Sequence, residues 1–352
     1  VSCGTKYKHM SYKYNILFIC ALIISVNSCS PDDEDSIVSV PENDRTEQQV
    51  IDNDTLVVYL NTHYYNSTEV NALANPTVAD VVITELLEGE TLPSDATLLM
   101  SAVETKTTTY LDVEYDYYIL KINQGTTTAQ SPRFCDKVRV NYSGSLMDGT
   151  NFDRSSTPVN FDLTSVIPGW SRVMPDFNVA STYTSNTDGT ISYDGYGMGV
   201  MFLPSGLGYY AAYQTSIPSY SNLVFKFELM QSETMDHDFD NVPSYLEVIE
   251  ADFDLYSKDT DEDLIVDFID VDDDGDGTAT SDEVLVEGYS ADTRAALQAD
   301  LDALVLESNQ LISPIKHRSN RNDYTANSVT LLDDNGNGIP NYLDETESDR
   351  VN

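Results

Sequence analysis

The residues best suited to chemistry are oxygen-bearing side chains repeated at fixed spacing in the last third of the chain. Asp272 to Glu283 places such side chains at positions 1, 3, 5, 9 and 12, with Gly277 at position 6. Calcium takes about six to eight hard oxygen ligands, a glycine permits the sharp turn between them, and a terminal glutamate supplies two oxygens. This spacing predicts a calcium loop, in which Thr278 supplies its backbone carbonyl.

Three other segments repeat this register around Asp236, Asp259 and Asp333. Asn241 takes the glycine position in the first of them, which suits asparagine because it tolerates the left-handed region, whereas Leu264 fits that position poorly. The alternative interpretation is a solvated acidic tail that binds no specific metal. The predicted calcium ligands, in chain order, are Asp236, Asp238, Asp240, Glu247, Asp259, Asp261, Asp263, Asp267, Asp270, Asp272, Asp274, Asp276, Thr278, Glu283, Asp333, Asn335, Asn337 and Asp344.

The charge of the whole chain agrees with a cation as partner. It has 59 acidic residues against 18 basic residues, and a formal net charge of −41. Repulsion from phosphates excludes nucleic acid as a partner of such a surface.

A second set of candidate residues is apolar and aromatic. Between residues 131 and 233 these side chains recur at strand spacing, separated by turn residues such as Asp148 and Gly149. Taken singly, each aromatic residue is best explained as core. An ordered set of such residues is far more specific than any one of them.

Five blocks in this segment occur in the order found in one family. They begin with Asp136 to Phe152, continue through Pro158 to Leu163, Val166 to Trp170 and Leu203 to Tyr209, and end at Leu223 to Leu229. Together they resemble the FK506-binding proteins (FKBPs), which are peptidyl-prolyl cis/trans isomerases. Carried over by position, the resemblance implies a binding pocket formed by Tyr142, Phe152, Asp153, Phe161, Val166, Ile167, Trp170, Tyr209 and Phe225.

The resemblance also implies how the pocket works, with Trp170 as its floor and Asp153 as an orienting group at its edge. Partial double-bond character gives the peptide bond a rotation barrier of ~18 to 20 kcal/mol. An apolar pocket removes the water that stabilises the planar, charge-separated amide and favours the twisted form. Catalysis then needs no cofactor. The Tyr209 hydroxyl and the Ile167 backbone N–H are expected to hold substrate carbonyls.

Two features depart from the family pattern. Arg154 directly follows Asp153, where the family often places a basic residue a few positions later. A polar insertion, Asn178 to Tyr196, is long enough to alter substrate access. Further on, Tyr213 to Tyr220 resembles the loop that covers the family's pocket.

The N-terminal part of the chain has the composition of an export signal. Lys6, Lys8 and Lys13 precede an apolar run from Ile16 to Val26 that is too short to span a bilayer comfortably. The run leads into Cys29 and resembles a bacterial lipobox, which implies a lipid on Cys29. The acidic residues that follow resemble an export tether to the cell surface, and a plain flexible linker explains them equally well.

Local patterns predict three other elements. Val50 to Tyr65 has helical periodicity behind a capping cluster at residues 52–54, and Thr107 to Asn123 has the composition of a strand. A helix is predicted within Ala291 to Leu306. The acidic loops otherwise lack flanking helices and resemble thrombospondin type 3 repeats, so we expect this region to be largely disordered without calcium.

Together these features predict an α+β chain in which an FKBP-like antiparallel sheet wraps a short helix and an irregular calcium-binding repeat region follows. The predicted segments are a signal peptide (1–28), a lipidated acidic linker (29–48), a leading region (49–130), the isomerase (131–233) and the repeats (234–352). The expected function is isomerisation of proline-containing polypeptides at the cell envelope, by a chain anchored to the outer membrane by lipid and structured by Ca²⁺. The alternative is a non-catalytic chaperone or assembly subunit of an outer-membrane secretion or motility complex.

Overall fold

The computed structural model of the chain describes residues 41–155, 157–248, 253–348 and 350. The predicted signal peptide and Cys29 lie outside these residues. The first described element is helix α1 (Arg45–Thr62), whose first turn is capped by the Asp44 carboxylate rather than by residues 52–54. A small three-stranded sheet follows it, formed by β1 (His63–Tyr65), β2 (Ile83–Glu85) and β3 (Thr97–Leu98). Two short helices accompany these strands, α2 (Ser67–Asn71) and α3 (Leu99–Ala102).

A seven-stranded antiparallel sheet forms the centre of the molecule, in the order β4-β5-β11-β12-β6-β7 with β8 also paired to β6. Its strands are β4 (Glu104–Tyr110), β5 (Val113–Asn123), β6 (Lys137–Leu146), β7 (Asn151–Arg154), β8 (Val159–Asp162), β11 (Gly197–Leu203) and β12 (Leu223–Glu233). The predicted turn at Asp148 and Gly149 joins β6 to β7, with Gly149 at a φ of 82°. The sheet therefore begins before residue 131, because β5 pairs directly with β11.

Two elements of this part differ from the sequence expectation. The single strand predicted for Thr107 to Asn123 is a hairpin, since Leu111 and Asp112 turn the chain with φ values of 49° and 62°. No glycine marks that turn. The polar insertion contains a hairpin of its own, with strands β9 (Thr182–Ser185) and β10 (Ile191–Asp194).

Both faces of the central sheet are covered. Alternate residues of β5 divide between two cores, with Tyr115, Tyr117 and Ile119 on one face and Tyr118 and Leu120 on the other. The first core packs around the short helix α4 (Pro168–Val173), as predicted for a sheet that wraps a helix. The second core contains Leu56 and Leu60 of α1, so the leading region packs onto the sheet.

The C-terminal part is more regular than the predicted repeat region. A four-stranded antiparallel sheet occupies much of residues 284–331, together with the helix predicted within Ala291 to Leu306. Its elements are α5 (Thr280–Glu283), β13 (Val284–Ala291), α6 (Arg294–Asp302), β14 (Gln310–Ile312), β15 (Lys316–Arg318) and β16 (Asp323–Leu331). The description of this region as irregular is therefore wrong for the residues of this sheet. None of the described helices combines the length and apolar character that crossing a membrane requires.

Candidate active site and acidic centres

Five aromatic rings meet on one face of the central sheet, and we call them the aromatic cluster: Tyr142, Phe152, Phe161, Trp170 and Phe225. The ring of Trp170 lies 5.2 Å from Phe161, 5.3 Å from Phe225 and 5.8 Å from Tyr142, measured between centroids. Phe152 joins through Phe225 at 5.4 Å, with the two rings perpendicular. Edge-to-face contacts at these distances are the favoured arrangement of aromatic pairs.

Strand register explains why these rings meet. Phe225 on β12 pairs with Gly144 on β6, and the side chains of Tyr142 and Phe225 reach the same face because alternate residues point to one side of a sheet. A Cβ at Gly144 would lie 2.6 Å from Phe152 and 2.7 Å from Phe225. Glycine at this position therefore leaves the space that the two rings occupy.

Helix α4 places Trp170 beneath the other rings. Pro168 is the first residue of this helix, where proline is favoured because its fixed φ suits a helix start and its missing N–H is not needed. Trp170 is buried, whereas Phe152 and Phe161 are only partly buried. The cluster therefore has a closed floor and partly exposed walls.

The remaining predicted pocket residues surround the cluster. Val166, Ile167 and Tyr209 are partly buried and pack against the same core. Asp153 is exposed, and its carboxylate accepts a 2.5 Å hydrogen bond from the Tyr142 hydroxyl. Burial, then this bond to Asp153, raises the pKa of Tyr142, while burial and the charge of Asp153 raise that of Tyr209. The nine residues predicted for the pocket thus lie in this core or at its edge, and the site raises the pKa of both phenols.

The four predicted calcium loops share one backbone conformation. At position 6 of each loop the residue is left-handed, with φ values of 84° at Asn241, 80° at Leu264, 92° at Gly277 and 91° at Gly338. The same internal bond also recurs, because the side chain at position 9 accepts from the backbone N–H at position 2 in all four loops. The predicted register is therefore repeated in the structure, including at Leu264.

One centre of four carboxylates is buried, and we call it the first centre: Asp238, Asp240, Glu247 and Asp273. Each offers an oxygen within 4.8 Å of the others. Glu247 is fully buried and Asp273 is 1% exposed, yet both oxygens of each accept no hydrogen bond from the described residues. Burial, then repulsion from neighbouring carboxylates, raises the pKa of Asp273 to about 9 and that of Glu247 to about 12.

Asp273 was not among the predicted ligands. It occupies position 2 of the loop that begins at Asp272, where the register assigns no ligand, and it reaches the loop that begins at Asp236. Only the packing of the two loops reveals this contact. A cation is the species that a buried set of unpaired carboxylates fits, because hydrogen-bond donors from the described residues leave these oxygens unsatisfied.

Two further groups of carboxylates meet in the other loops. Asp272, Asp274 and Asp276 form the second centre, and buried oxygens of all three accept no hydrogen bond from the described residues. The same holds for both oxygens of Glu283, whose pKa is raised to about 8 by burial and by the charges of these three aspartates. The third centre is Asp259, Asp261 and Asp263.

Several other predicted ligands are engaged by protein groups. Asp267 accepts bonds from the N–H and hydroxyl of Thr260 and pairs with Lys258 at 3.1 Å, so the structure does not support it as a calcium ligand. Asp344 accepts from the side-chain amides of Asn335 and Asn337. Carboxylates among the other predicted ligands accept hydrogen bonds from backbone N–H groups, as at Asp236, Asp270, Asp276 and Asp333. The hydroxyl of Thr278 donates to a backbone carbonyl.

The two regions match different family models. Residues 128–230 match the family model described as FKBP-type peptidyl-prolyl cis-trans isomerase, which confirms the resemblance of this segment. Residues 237–302 match the model described as BamM C-terminal. This second match overlaps the first three acidic loops, whose resemblance to thrombospondin type 3 repeats stays a prediction.

Individual relatives agree with the first match. The chain is 36% identical over 117 residues to the FKBP-type peptidyl-prolyl cis-trans isomerase FkpA of Aeromonas hydrophila, covering 32% of this chain and 38% of that protein. It is 34% identical over 113 residues to the FKBP-type 22 kDa peptidyl-prolyl cis-trans isomerase of Escherichia coli, covering 31% and 47%. The chain thus spans less than half the length of either relative.

Among solved structures, FkpA from Escherichia coli is 28% identical, with 37% of this chain and 51% of that chain covered and a TM-score of 0.29.

Proposed function

We propose that the segment of residues 128–230 catalyses cis-trans isomerisation of peptide bonds that precede proline, in polypeptides exported to the cell envelope or displayed on its surface. The observation that carries this proposal is the aromatic cluster, in which Trp170 contacts Tyr142, Phe161 and Phe225 within 5.8 Å. The match of this segment to FKBP-type isomerases supports the same reaction.

The proposed mechanism uses the surroundings of the amide rather than a nucleophile. A proline ring seated against Trp170, beside the touching rings of Phe152 and Phe225, loses the water that stabilises its planar amide, so the twisted transition state is favoured. We assign the Tyr209 hydroxyl as the donor to a substrate carbonyl, because a phenol with its ordinary pKa of about 10 is protonated at neutral pH and burial raises that pKa further. Asp153, held by Tyr142, orients the twisting amide from the edge of the site.

The test is an isomerisation assay on the full chain with a chromogenic X-Pro peptide. Phe152→Ala removes a partly exposed wall, and loss of a ring worth about 1.5 to 3 kcal/mol of apolar burial lowers kcat/KM by about ten- to a hundredfold. Phe239→Ala is the matched control, because Phe239 is 76% exposed in an acidic loop and should leave the rate unchanged. Equal rates for the two variants would remove the pocket assignment.

The same assay decides between enzyme and binding module. A wild-type chain that binds unfolded polypeptide without accelerating isomerisation would instead be the non-catalytic chaperone or assembly subunit. The nine pocket residues that lie together favour the enzyme.

We further propose that the acidic loops bind Ca²⁺, which gives the C-terminal region a structural role. The supporting observation is the first centre, where buried oxygens of Glu247 and Asp273 accept no hydrogen bond from the described residues. Calcium would supply charge neutralisation there, and the carboxylates of Asp238, Asp240, Glu247 and Asp273 would hold it. Calorimetric titration of the chelator-treated full chain with CaCl₂ tests this, and absence of binding heat and of any change in melting temperature would contradict it.

We propose an envelope location from the leading sequence alone. The apolar run that ends at Cys29 supports export and lipid attachment at that cysteine. Labelling of expressing bacteria with a fatty-acid analogue tests this, because Cys29→Ser should abolish labelling whereas Cys135→Ser should not. Labelling of the Cys29→Ser variant would contradict the proposal.

A further inference from the structure

Helix α1 contacts both ends of the loop that overlies the aromatic cluster. We call this loop, residues 208–222, the flap. It carries Tyr209 at its start, and Ile217 near its middle is buried in the same core as Trp170 and Phe225. A change in the position of the flap therefore moves Tyr209 of the candidate active site and Ile217 of the core that contains the aromatic cluster.

The two ends of the flap are closed by a pair of tyrosines. Tyr210 and Tyr220 both have left-handed backbones, with φ values of 51° and 61°, a conformation that costs a non-glycine residue about 1 kcal/mol or more. Their rings are perpendicular at 5.1 Å, and the Tyr220 N–H donates to the Tyr210 carbonyl at 2.7 Å. Surrounding contacts must hold such a strained pair in place.

Those contacts come from the residues that begin α1. The Tyr210 hydroxyl donates to the backbone carbonyl of Asn43, and the backbone N–H of Asn43 donates to the Tyr220 hydroxyl at 2.9 Å. The Arg45 guanidinium lies 3.9 Å from the centre of the Tyr210 ring, which is a cation–π contact. The backbone of Asn43 thus binds both tyrosines, and the Arg45 guanidinium covers the ring of Tyr210.

A second attachment lies about two turns along the helix, at Asp52. The buried Asp52 carboxylate accepts from the backbone N–H and the hydroxyl of Ser205, which precedes the flap. The Asp52 backbone carbonyl accepts from the Asn222 side chain, at the end of the flap. Both stems of the flap are therefore bound to the same helix.

We propose that Asn43, Arg45 and Asp52 are positioning residues that hold the flap over the aromatic cluster and thereby set how tightly the site binds substrate. This inference rests on the proposed isomerase activity and gives the leading region a role in it. None of the three touches the reacting amide, since each acts through Tyr210, Tyr220 or Ser205. Releasing the flap should therefore raise KM more than it lowers kcat.

The test uses the full chain with the double substitution Tyr210→Phe and Tyr220→Phe, which removes both hydroxyls and keeps both rings. Loss of the two hydrogen bonds should speed amide hydrogen exchange of residues 211–219 by about tenfold. KM for an X-Pro peptide should rise severalfold, with kcat within about twofold of wild type. Tyr183→Phe is the matched control, because Tyr183 lies exposed on the β9–β10 hairpin. Arg45→Gln provides a second variant if the double variant does not fold.

Two results would overturn the inference. Exchange of residues 211–219 at the rate of the Tyr183→Phe control would show that α1 does not hold the flap. Faster exchange with an unchanged KM would show that the flap is held without consequence for binding. A wild-type chain without isomerase activity would instead remove the proposed function, and the exchange rates would still decide whether α1 holds the flap.

Discussion

The hydroxyl of Tyr142 donates a hydrogen bond to the Asp153 carboxylate across the β6–β7 hairpin. The two residues pack differently, because Tyr142 is buried in the aromatic core and Asp153 is exposed at its edge. The other oxygen of this carboxylate accepts from the backbone N–H of Arg154 at 2.8 Å, so the two hydrogen bonds together fix the direction of Asp153. In the proposed mechanism this fixed carboxylate orients the twisting amide.

Tyr142→Phe should lower kcat/KM by about three- to tenfold, because it removes one of the two hydrogen bonds that orient Asp153 while keeping the ring. The lost hydrogen bond should also cost about 1 kcal/mol of unfolding free energy. Tyr118→Phe is the matched control, since the buried Tyr118 donates a comparable 2.7 Å bond to Asn53 away from the site. The isomerisation assay and thermal unfolding separate the two effects, and an equal activity loss in both variants would contradict the role of the Tyr142 bond.

Gly144→Ala should reduce both stability and activity. The added Cβ lies under 3 Å from Phe152 and Phe225, so both rings must move, and overpacking of this kind typically costs about 1 to 3 kcal/mol. Gly288→Ala is the control, because a Cβ there meets only Asn327 at 3.8 Å. Urea unfolding and kcat/KM of the two variants test this expectation, which fails if Gly144→Ala behaves like the control.

Calcium should stabilise the full chain, by about 2.7 kcal/mol when its concentration is a hundred times the dissociation constant of one site. Glu247→Gln should reduce this gain, because it removes one charge from the buried first centre. The control is Glu307→Gln at an exposed position. Melting temperatures with CaCl₂ and with chelator measure the effect, and an equal calcium response in the two variants would contradict the assignment of the first centre.

The fragment of residues 131–233 should not fold as the full chain does. It lacks β5, which pairs with β11, and it lacks α1, so Met198, Val200 and Phe202 of the second core lose their partners. Near-ultraviolet circular dichroism should therefore show no fixed aromatic packing in this fragment, whereas the full chain should show it. A native-like spectrum from the fragment would contradict this expectation.

Asp52 should make stability depend on pH. Burial raises its pKa against the opposing effect of its bonds with Ser205 and Gln48. The folded state therefore holds the proton more tightly than the unfolded state. The stabilisation that the raised pKa of Asp52 gives the folded state is fully present below the unfolded-state pKa of about 3.9, and it is lost as the pH rises through the folded-state pKa.

Asp52→Asn removes this pH-dependent contribution to the unfolding free energy. As the pH rises above about 4, the unfolding free energy of wild type should fall relative to that of Asp52→Asn, whatever constant offset the lost Ser205 contacts add. Asp54→Asn, on the exposed face of the same helix, should not show this divergence. Parallel pH profiles for wild type and Asp52→Asn would show that Asp52 does not control this dependence.

The sequence was sufficient for features that depend on local spacing. The family resemblance predicted that Tyr142 and Phe225 share one pocket, and alternation on β6 and β12 explains why both reach one face. The register of the acidic loops predicted the turn at position 6 for Asn241, Gly277 and Gly338, whereas Leu264 fitted it poorly and is nonetheless left-handed. The helix within Ala291 to Leu306 was also predictable, because Leu297 and Leu301 repeat at helical spacing and are buried.

Features that depend on distant contacts were not predictable. Asp52 was expected near a helix cap, but it is buried against Ser205, which lies 153 positions away. Asp273 sits at a loop position that carries no ligand in the repeat pattern. Strand β13 is exposed at four consecutive residues, so it lacks the alternation that identifies a half-buried strand.

The chain contains a single tryptophan, and it lies at the floor of the aromatic cluster. Indole emission from the intact protein therefore originates at Trp170 alone, without signal from the acidic loops or the leading helix. Titration of the unlabelled chain with a proline peptide would therefore report, through this emission, whether the peptide binds at Trp170, so occupancy is measurable separately from turnover.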